Sequence, residues 1–181
     1  LGIDFLAADG HKWMLGPEGA GFMYCEEDLC QQLRPPIAGW LGRYNHLDYG
    51  SYDERYYPDA RRFEPGTWNI NAIRGLGASL DLLMEVGLDV VWSRVDALCQ
   101  HLLGRLTEKG FVVVSPPGPS ERSGIVAFDL PGREDQHAGI VKSLAEQQII
   151  IAHRVGHLRA SPHFYNSIEQ MDQLAEHLAI W

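Results

Sequence analysis

The sequence predicts an α/β chain in two parts: strands, turns and a helix over residues 1–88, then a small α+β unit over residues 89–181. Three observations lead there. Short apolar runs of strand length alternate with longer stretches of helical period. Four β-rich runs and three helical stretches fall in the second part, enough for a sheet with helices packed on it. The first part offers only two strand-like runs, and two strands cannot enclose a core, so this part needs neighbours beyond itself. With 181 residues, 45% of them hydrophobic, the chain has room for one domain with a real core or for two small ones.

Each element has its own justification. Residues 3–8 are apolar enough for a buried strand, and the tight sequence Asp9-Gly10-His11-Lys12-Trp13 follows it. The glycine-rich residues 16–21 lead into a second strand over residues 22–24. Residues 26–34 are expected to form one short helix, with Glu26, Glu27 and Asp28 in its first turn and Arg34 in its last, as the helix dipole favours. Residues 35–68 show no clean period but hold eight aromatics: Trp40, Tyr44, Tyr49, Tyr52, Tyr56, Tyr57, Phe63 and Trp68. Aromatics at that density argue against disorder, and a loop of that length reads as an interface or the wall of an active site.

Helices resume over residues 70–86, closed by Gly87, and 89–109, closed by Gly110. The second carries Val91, Val95, Leu98, Leu102 and Leu106 on one face. Residues 111–114 and 125–128 are two neighbouring strands separated by Pro116-Pro117-Gly118-Pro119. Residues 135–147 form a further helix, and 149–152 and 157–161 two more strands. Ser167 with Gln170 makes a capping box for a last amphipathic helix.

Composition removes several classes of function. Fifteen Lys and Arg against 24 Asp and Glu give a net charge of −9, and no run of basic residues supplies the face that a nucleic-acid binder needs. Mean hydropathy is −0.18, and no stretch approaches the roughly 18 apolar residues of a membrane span. Three cysteines, Cys25, Cys30 and Cys99, form neither a disulfide framework nor a metal pair, so a cytoplasmic setting is expected. His153, His157 and His163 lie close in sequence but lack ligand spacing on one helix and acidic partners at fixed offsets, so no metal site is expected.

Lys12 holds the most chemical interest. It follows an apolar strand and is flanked by His11 and Trp13; alone it reads as a surface lysine in a turn, while at the edge of a core, with little water around it, its charged form would be disfavoured. A neutral amine so placed can form a Schiff base with a carbonyl. The string Ala8-Asp9-Gly10-His11-Lys12, with Gly16-Pro17-Glu18-Gly19-Ala20-Gly21-Phe22-Met23-Tyr24 after it, closely resembles the lysine segment of the class V aminotransferase family. That family is the branch of fold type I pyridoxal-phosphate (PLP) enzymes that includes cysteine desulfurases, selenocysteine lyases and isopenicillin N epimerase-like proteins. Two further segments are similar to the family's in order and spacing. Arg62-Phe63-Glu64-Pro65-Gly66-Thr67 with the helix after it resembles the "RFExGT" stretch, and Leu158-Arg159-Ala160-Ser161 through Tyr165-Asn166-Ser167 resembles the "RxSxxxYNT" stretch.

The resemblance implies the C-terminal half of an aspartate aminotransferase-like fold. Residues 1–88 would be the end of the PLP-binding large domain, with the lysine segment, the aromatic loop 35–68 and the helix 70–86; residues 89–181 would be the small α+β C-terminal domain. It implies PLP as cofactor, Lys12 as Schiff-base lysine and α-proton base, and His11 beside the cofactor phosphate. Thr67 would donate to the phosphate of a neighbouring subunit's cofactor in a homodimer, its Gly-Thr placed as an anion site at a helix N-terminus. Arg159 would hold the carboxylate of an amino-acid substrate.

Departures matter as well. Asp9 stands where the family usually has a small residue, often Ser, so it is expected to point away from a phosphate or to reach it through a donor such as His11. Residues 149–159 hold no cysteine, so desulfuration by the usual persulfide route is not expected. Only eleven residues precede Lys12, so the family's ring-stacking, pyridine-nitrogen and phosphate-loop residues are absent, and the chain is expected to be a truncated piece, inactive alone. A second reading stays open, that of a non-catalytic remnant acting as an association module.

Overall fold

The computed structural model describes residues 2–51 and 53–181; Leu1, where the first strand-like run opens, and Tyr52 of the aromatic loop lie outside the described residues. The chain divides into two compact units, Leu1–Glu85 and Val86–Trp181.

In the first unit, β1 (Phe5–Asp9) and β2 (Gly21–Cys25) pair antiparallel, with Phe5 opposite Cys25 and Asp9 opposite Gly21. Among the described residues the ribbon has no further strand beside it, and Phe5, Phe22 and Tyr24 are each nearly half exposed. Helix α1 spans Glu27–Gln32, shorter than the sequence reading. Glu26 is its N-cap, accepting a hydrogen bond from the Leu29 amide, and not a first-turn residue. Arg34 falls outside the helix because it precedes Pro35, whose ring disfavours helical backbone at the residue before it. The described residues of 35–68 are irregular apart from a one-turn 3-10 helix, Ala60–Phe63, and a bridge between Arg43 and Tyr56. Helix α2 runs over Ile70–Val86.

The second unit is a two-layer α+β sandwich. Helix α3 (Leu88–Glu108) buries Val91, Val95, Leu98, Leu102 and Leu106 completely, the face its period marked. Strands β3 (Val112–Val113), β4 (Val126–Asp129), β5 (Ala152–Arg154) and β6 (His157–Ala160) form an antiparallel sheet in the order β3-β4-β6-β5. Val126, Phe128, Leu158 and Ala160 point from it into one cluster with α3, α4 (His137–Glu146) and α5 (Ile168–Leu178). Ala127, Asp129, Ala152, His157 and Arg159 alternate with them and belong to the opposite face.

Strand β5 starts three residues later than the apolar run 149–152 implies, because that run closes helix α4 first. Gln148 is left-handed at φ +61°, its amide donates to Ala145 O and the Ile149 amide donates to Leu144 O, which is a Schellman stop. Ile149 is thereby spent packing against the core. Residues Val155 and Gly156, at φ +51° and +88°, then join β5 to β6 in a two-residue turn of the type that matches strand twist. Ser167 and Gln170 form the expected reciprocal capping box on α5.

Two substitutions test this ledger of helix contacts. In urea unfolding, Leu102→Ala is expected to destabilise the second unit by about 3 kcal/mol, the usual loss for a core leucine. Ser167→Ala is expected to lose about 1 kcal/mol, the value of one helix cap. An unchanged midpoint for the first would show that α3 is not the core helix.

Candidate functional site

The segment joining β1 to β2 carries Lys12, and it is set by close packing. The Leu15 amide donates to Lys12 O at 3.0 Å, and the Gly16 amide to Gly10 O at 2.8 Å, closing a small loop around the lysine. This loop lies directly on α2. A Cβ built on Gly10 or on Gly16 would come within 2.8 Å of Leu76 Cδ1, and one on Gly75 within 2.8 Å of Pro17 Cγ, so side chains are excluded on both sides of the contact. Leu15 is left-handed at φ +58°, a costly conformation for a leucine, and its carbonyl accepts from the Ser79 hydroxyl at 2.9 Å.

On that platform Asp9, His11 and Lys12 come together. Lys12 Nζ donates to Asp9 Oδ2 at 2.6 Å, and His11 Nδ1 lies 3.7 Å from Asp9 Oδ1. The Lys12 hydrogen bond holds the Asp9 carboxyl below its ordinary value; partial desolvation opposes it, and the charges of Lys12 and His11 add smaller help. Two readings are decided here. The Lys12 side chain is 70% exposed, as a surface lysine in a turn would be, and is not desolvated at a core edge. Asp9 does turn to His11, but its principal partner is the lysine three residues on, a pairing legible from the i, i+3 spacing.

Thr67 belongs to the same unit without joining that cluster. It is exposed, and its hydroxyl has no hydrogen-bond partner among the described residues. The N-cap of α2 is Asn69, whose Oδ1 accepts from the Ala72 amide, so Thr67 stands two residues ahead of the cap and not at the helix N-terminus itself. The signal was present: Asn directly before a helical run is a cap residue. The aromatic loop before it is ordered by cations over rings, with Arg43 4.3 Å from the Tyr56 ring centroid and Arg61 4.1 Å from that of Tyr57. Arg55 in the same loop holds the Asp53 carboxyl down to about 2.

Arg159 lies in the second unit, on β6. Its register neighbours are Ala127 on β4 and Ala152 on β5, two small residues that leave room over the sheet for the guanidinium. Its Nε is buried and has no hydrogen-bond partner among the described residues. The nearby Asp129 is engaged by His157 at 2.8 Å instead. A half-buried guanidinium left open in this way is suited to a bidentate carboxylate from outside the chain.

The three histidines separate. His157 pairs with Asp129, His163 stacks on Tyr165 at 5.0 Å, and His153 meets the ring of His137 edge-on at 5.5 Å. Among the described residues no group of three or more His, Cys, Asp or Glu is placed to hold a metal ion, and no helix is long and apolar enough to cross a membrane.

The chain is similar in sequence and fold to known proteins. The family model described as aminotransferase class-V matches residues 1–174. The uncharacterized aminotransferase YcbU of Bacillus subtilis (strain 168) is 30% identical over 178 residues, covering 98% of this chain and 45% of that protein. A probable cysteine desulfurase of Halalkalibacterium halodurans is 34% identical over 195 residues, covering 98% of this chain and 45% of that protein. Among solved structures, the apo cysteine desulfurase of Thermococcus onnurineus NA1 superposes with a TM-score of 0.86 at 25% identity, over 98% of this chain and 46% of the other. The cystine C-S lyase C-DES, in complex with cysteine persulfide, gives 0.86 at 26% identity over 99% and 47%. The chain thus spans about half the length of the relatives it matches.

The Asp9 titration tests the cluster. A carboxyl held low keeps its contribution above the ordinary carboxylate value and loses it as pH falls through the lowered one. By NMR, Asp9 is expected to titrate below an ordinary aspartate, and Lys12→Met to move its midpoint upward. A midpoint indifferent to that substitution would mean that Lys12 is not the partner.

Proposed function

The chain belongs to the aminotransferase class-V family, and from that premise we propose that it supplies the lysine and the carboxylate-binding arginine of a PLP-dependent enzyme acting on an amino acid or a related amine. The observation that carries the reading is Lys12 on a turn locked to α2 by close packing. The residues present fit the group in chemistry: a primary amine on a rigid platform, a free hydroxyl at Thr67, and an unpaired buried guanidinium nitrogen at Arg159.

PLP, when bound, supplies an electron sink that makes the α-carbon of an amino acid acidic. Lys12 anchors the cofactor and afterwards serves as the base at the α-proton. Asp9 holds the lysine nitrogen in place and orients it along the turn. His11 would lie on the phosphate side. Thr67 would donate its hydroxyl to the phosphate of a cofactor held by a second copy, in a homodimer working in the cytoplasm. Arg159 would donate to the carboxylate of the substrate.

Among the family's reactions, persulfide-forming desulfuration is the one this chain is least equipped for. Residues 149–159 contain no cysteine. Cys30 and Cys99 are buried inside helices, with the Cys99 thiol pushed up to about 11 by burial, where it is a poor nucleophile. A second reading, association without catalysis, is favoured by one observation, the half-exposed Phe5, Phe22 and Tyr24 on a two-stranded ribbon.

The protein has only three lysines, Lys12, Lys109 and Lys142, which makes the test clean. After incubation with PLP and borohydride reduction, peptide mass spectrometry is expected to find the pyridoxyl group on Lys12. Lys109, only 19% exposed against 70% for Lys12, is expected to stay largely unlabelled. Label on the other lysines with an unmodified Lys12 peptide would sink the catalytic reading and leave association. In the active enzyme, Arg159→Gln should cost about 2 kcal/mol of carboxylate binding, a loss of more than tenfold in kcat/KM for amino acids. The same variant should leave amines without a carboxylate unaffected.

A further inference from the structure

Cys25 and Cys30 have no part in the proposed chemistry, and their positions are unusual. Cys25 ends β2, Glu26 is the N-cap of α1, and Cys30 is the fourth residue of that helix. Counted from the cap, the two cysteines occupy N′ and N4, the positions that meet in a hydrophobic staple and fix the angle at which a chain enters its helix. The local hydrogen bonds define that entry: Glu26 Oε2 accepts from the Leu29 amide, the Cys30 amide donates to Glu26 O at 2.8 Å, and the Glu26 amide donates to Asp4 O at 2.8 Å. Cys30 is buried and Cys25 partly open, and neither is in a disulfide.

We propose that Cys25 and Cys30 are a modification site: a dithiol that closes reversibly into a disulfide by exchange with a low-molecular-weight disulfide such as oxidised glutathione, locking α1 onto the end of β2. The balance is simple. The Cys25 thiolate, the more accessible, attacks one sulfur of the small disulfide, forming a mixed disulfide and releasing one thiol. The Cys30 sulfur then attacks Cys25, forming the internal S–S bond and releasing the second thiol. The protein gives up two protons and two electrons, and the small disulfide takes both.

Two further observations support the pair. Burial raises the Cys25 thiol, and the adjacent Cys30 side chain raises it further, as expected of two sulfurs side by side. Exchange should therefore be slow at neutral pH and quicken in mild alkali, where Cys25 ionises. The site also has a reach beyond itself. Arg62 donates to the Cys30 carbonyl and Gln31 to the Pro58 carbonyl, so α1 holds the segment that runs on to Thr67.

Incubation of the native protein with oxidised glutathione in mild alkali, then alkylation under denaturing conditions, tests the pair by peptide mass. The peptide carrying both cysteines is expected to lose two hydrogens and to escape alkylation, while Cys99 is alkylated. Cys30→Ser is expected to trap glutathione on Cys25, because no second thiol resolves it. Phenylarsine oxide gives an independent reading, since two adjacent thiols bind its arsenic and release the oxygen as water. One equivalent should bind the native protein, and none either Cys25→Ser or Cys30→Ser. Full alkylation of both cysteines after exchange, or a glutathione adduct on Cys25 as lasting in the native protein as in Cys30→Ser, would overturn the proposal. Arsenic binding unchanged in the single variants would do the same.

Discussion

The contact between the lysine loop and helix α2 is the constraint on which the first unit depends. Leu76 is buried, and both Gly10 and Gly16 approach its methyl groups so closely that neither position can carry a side chain. Gly75, one residue earlier, is pressed on by Pro17 in the same way. The interlock reads both ways: glycines in the loop admit the helix's leucine, and a glycine in the helix admits the loop's proline. A two-stranded ribbon is marginal by itself, so β1 and β2 owe their definition to what their connection packs on. The strained Leu15 persists for the same reason, its carbonyl tied to Ser79 while the residues around it are held by packing.

Placement of the charged groups follows from that packing and not from charge. The Asp9–Lys12 pair is largely open to water, and exposed pairs contribute little to stability. Its value lies in direction: a lysine has four rotatable bonds, and an aspartate at i−3 on a rigid turn selects among their settings. Arg159 illustrates the opposite solution. Among the described residues no carboxylate pairs with its guanidinium; the flanking alanines of β4 and β6's other neighbour β5 leave it a shallow bed, and the strand fixes its root.

Much of this was legible in the sequence, and the illegible parts share a cause. The buried stripe of α3 and the capping box of α5 are local patterns, and they read correctly because period and spacing suffice to specify them. The end of α1 was misjudged although Pro35 marks it, since the acidic start and basic finish of residues 26–34 suggested a longer helix. Strand β5 was displaced because Gln148, and not glycine, takes the left-handed stop of α4, a role that residue type alone does not announce. The exposure of Lys12 is the ordinary reading of a lysine in a turn, and the sequence leaves open only whether a core edge covers it. That depends on what stands around the turn, which no local pattern encodes.

The small residues therefore deserve the chemist's weight as much as the charged ones. Lys12 and Arg159 could each be written into many surfaces, but an amine or guanidinium acts only where its root is immobile and its tip unclaimed. Gly10, Gly16 and Gly75 secure the first condition for Lys12 by admitting a backbone approach that any Cβ would prevent. Ala127 and Ala152 secure the second for Arg159 by offering nothing that could pair with it. A glycine-to-alanine change in the loop would leave every charged group in the chain and yet shift the platform beneath the lysine. Conversely, an aspartate at Ala127 would keep the arginine's position and occupy its free nitrogens. The chemistry of this chain rests on absences of side chain at a few chosen places.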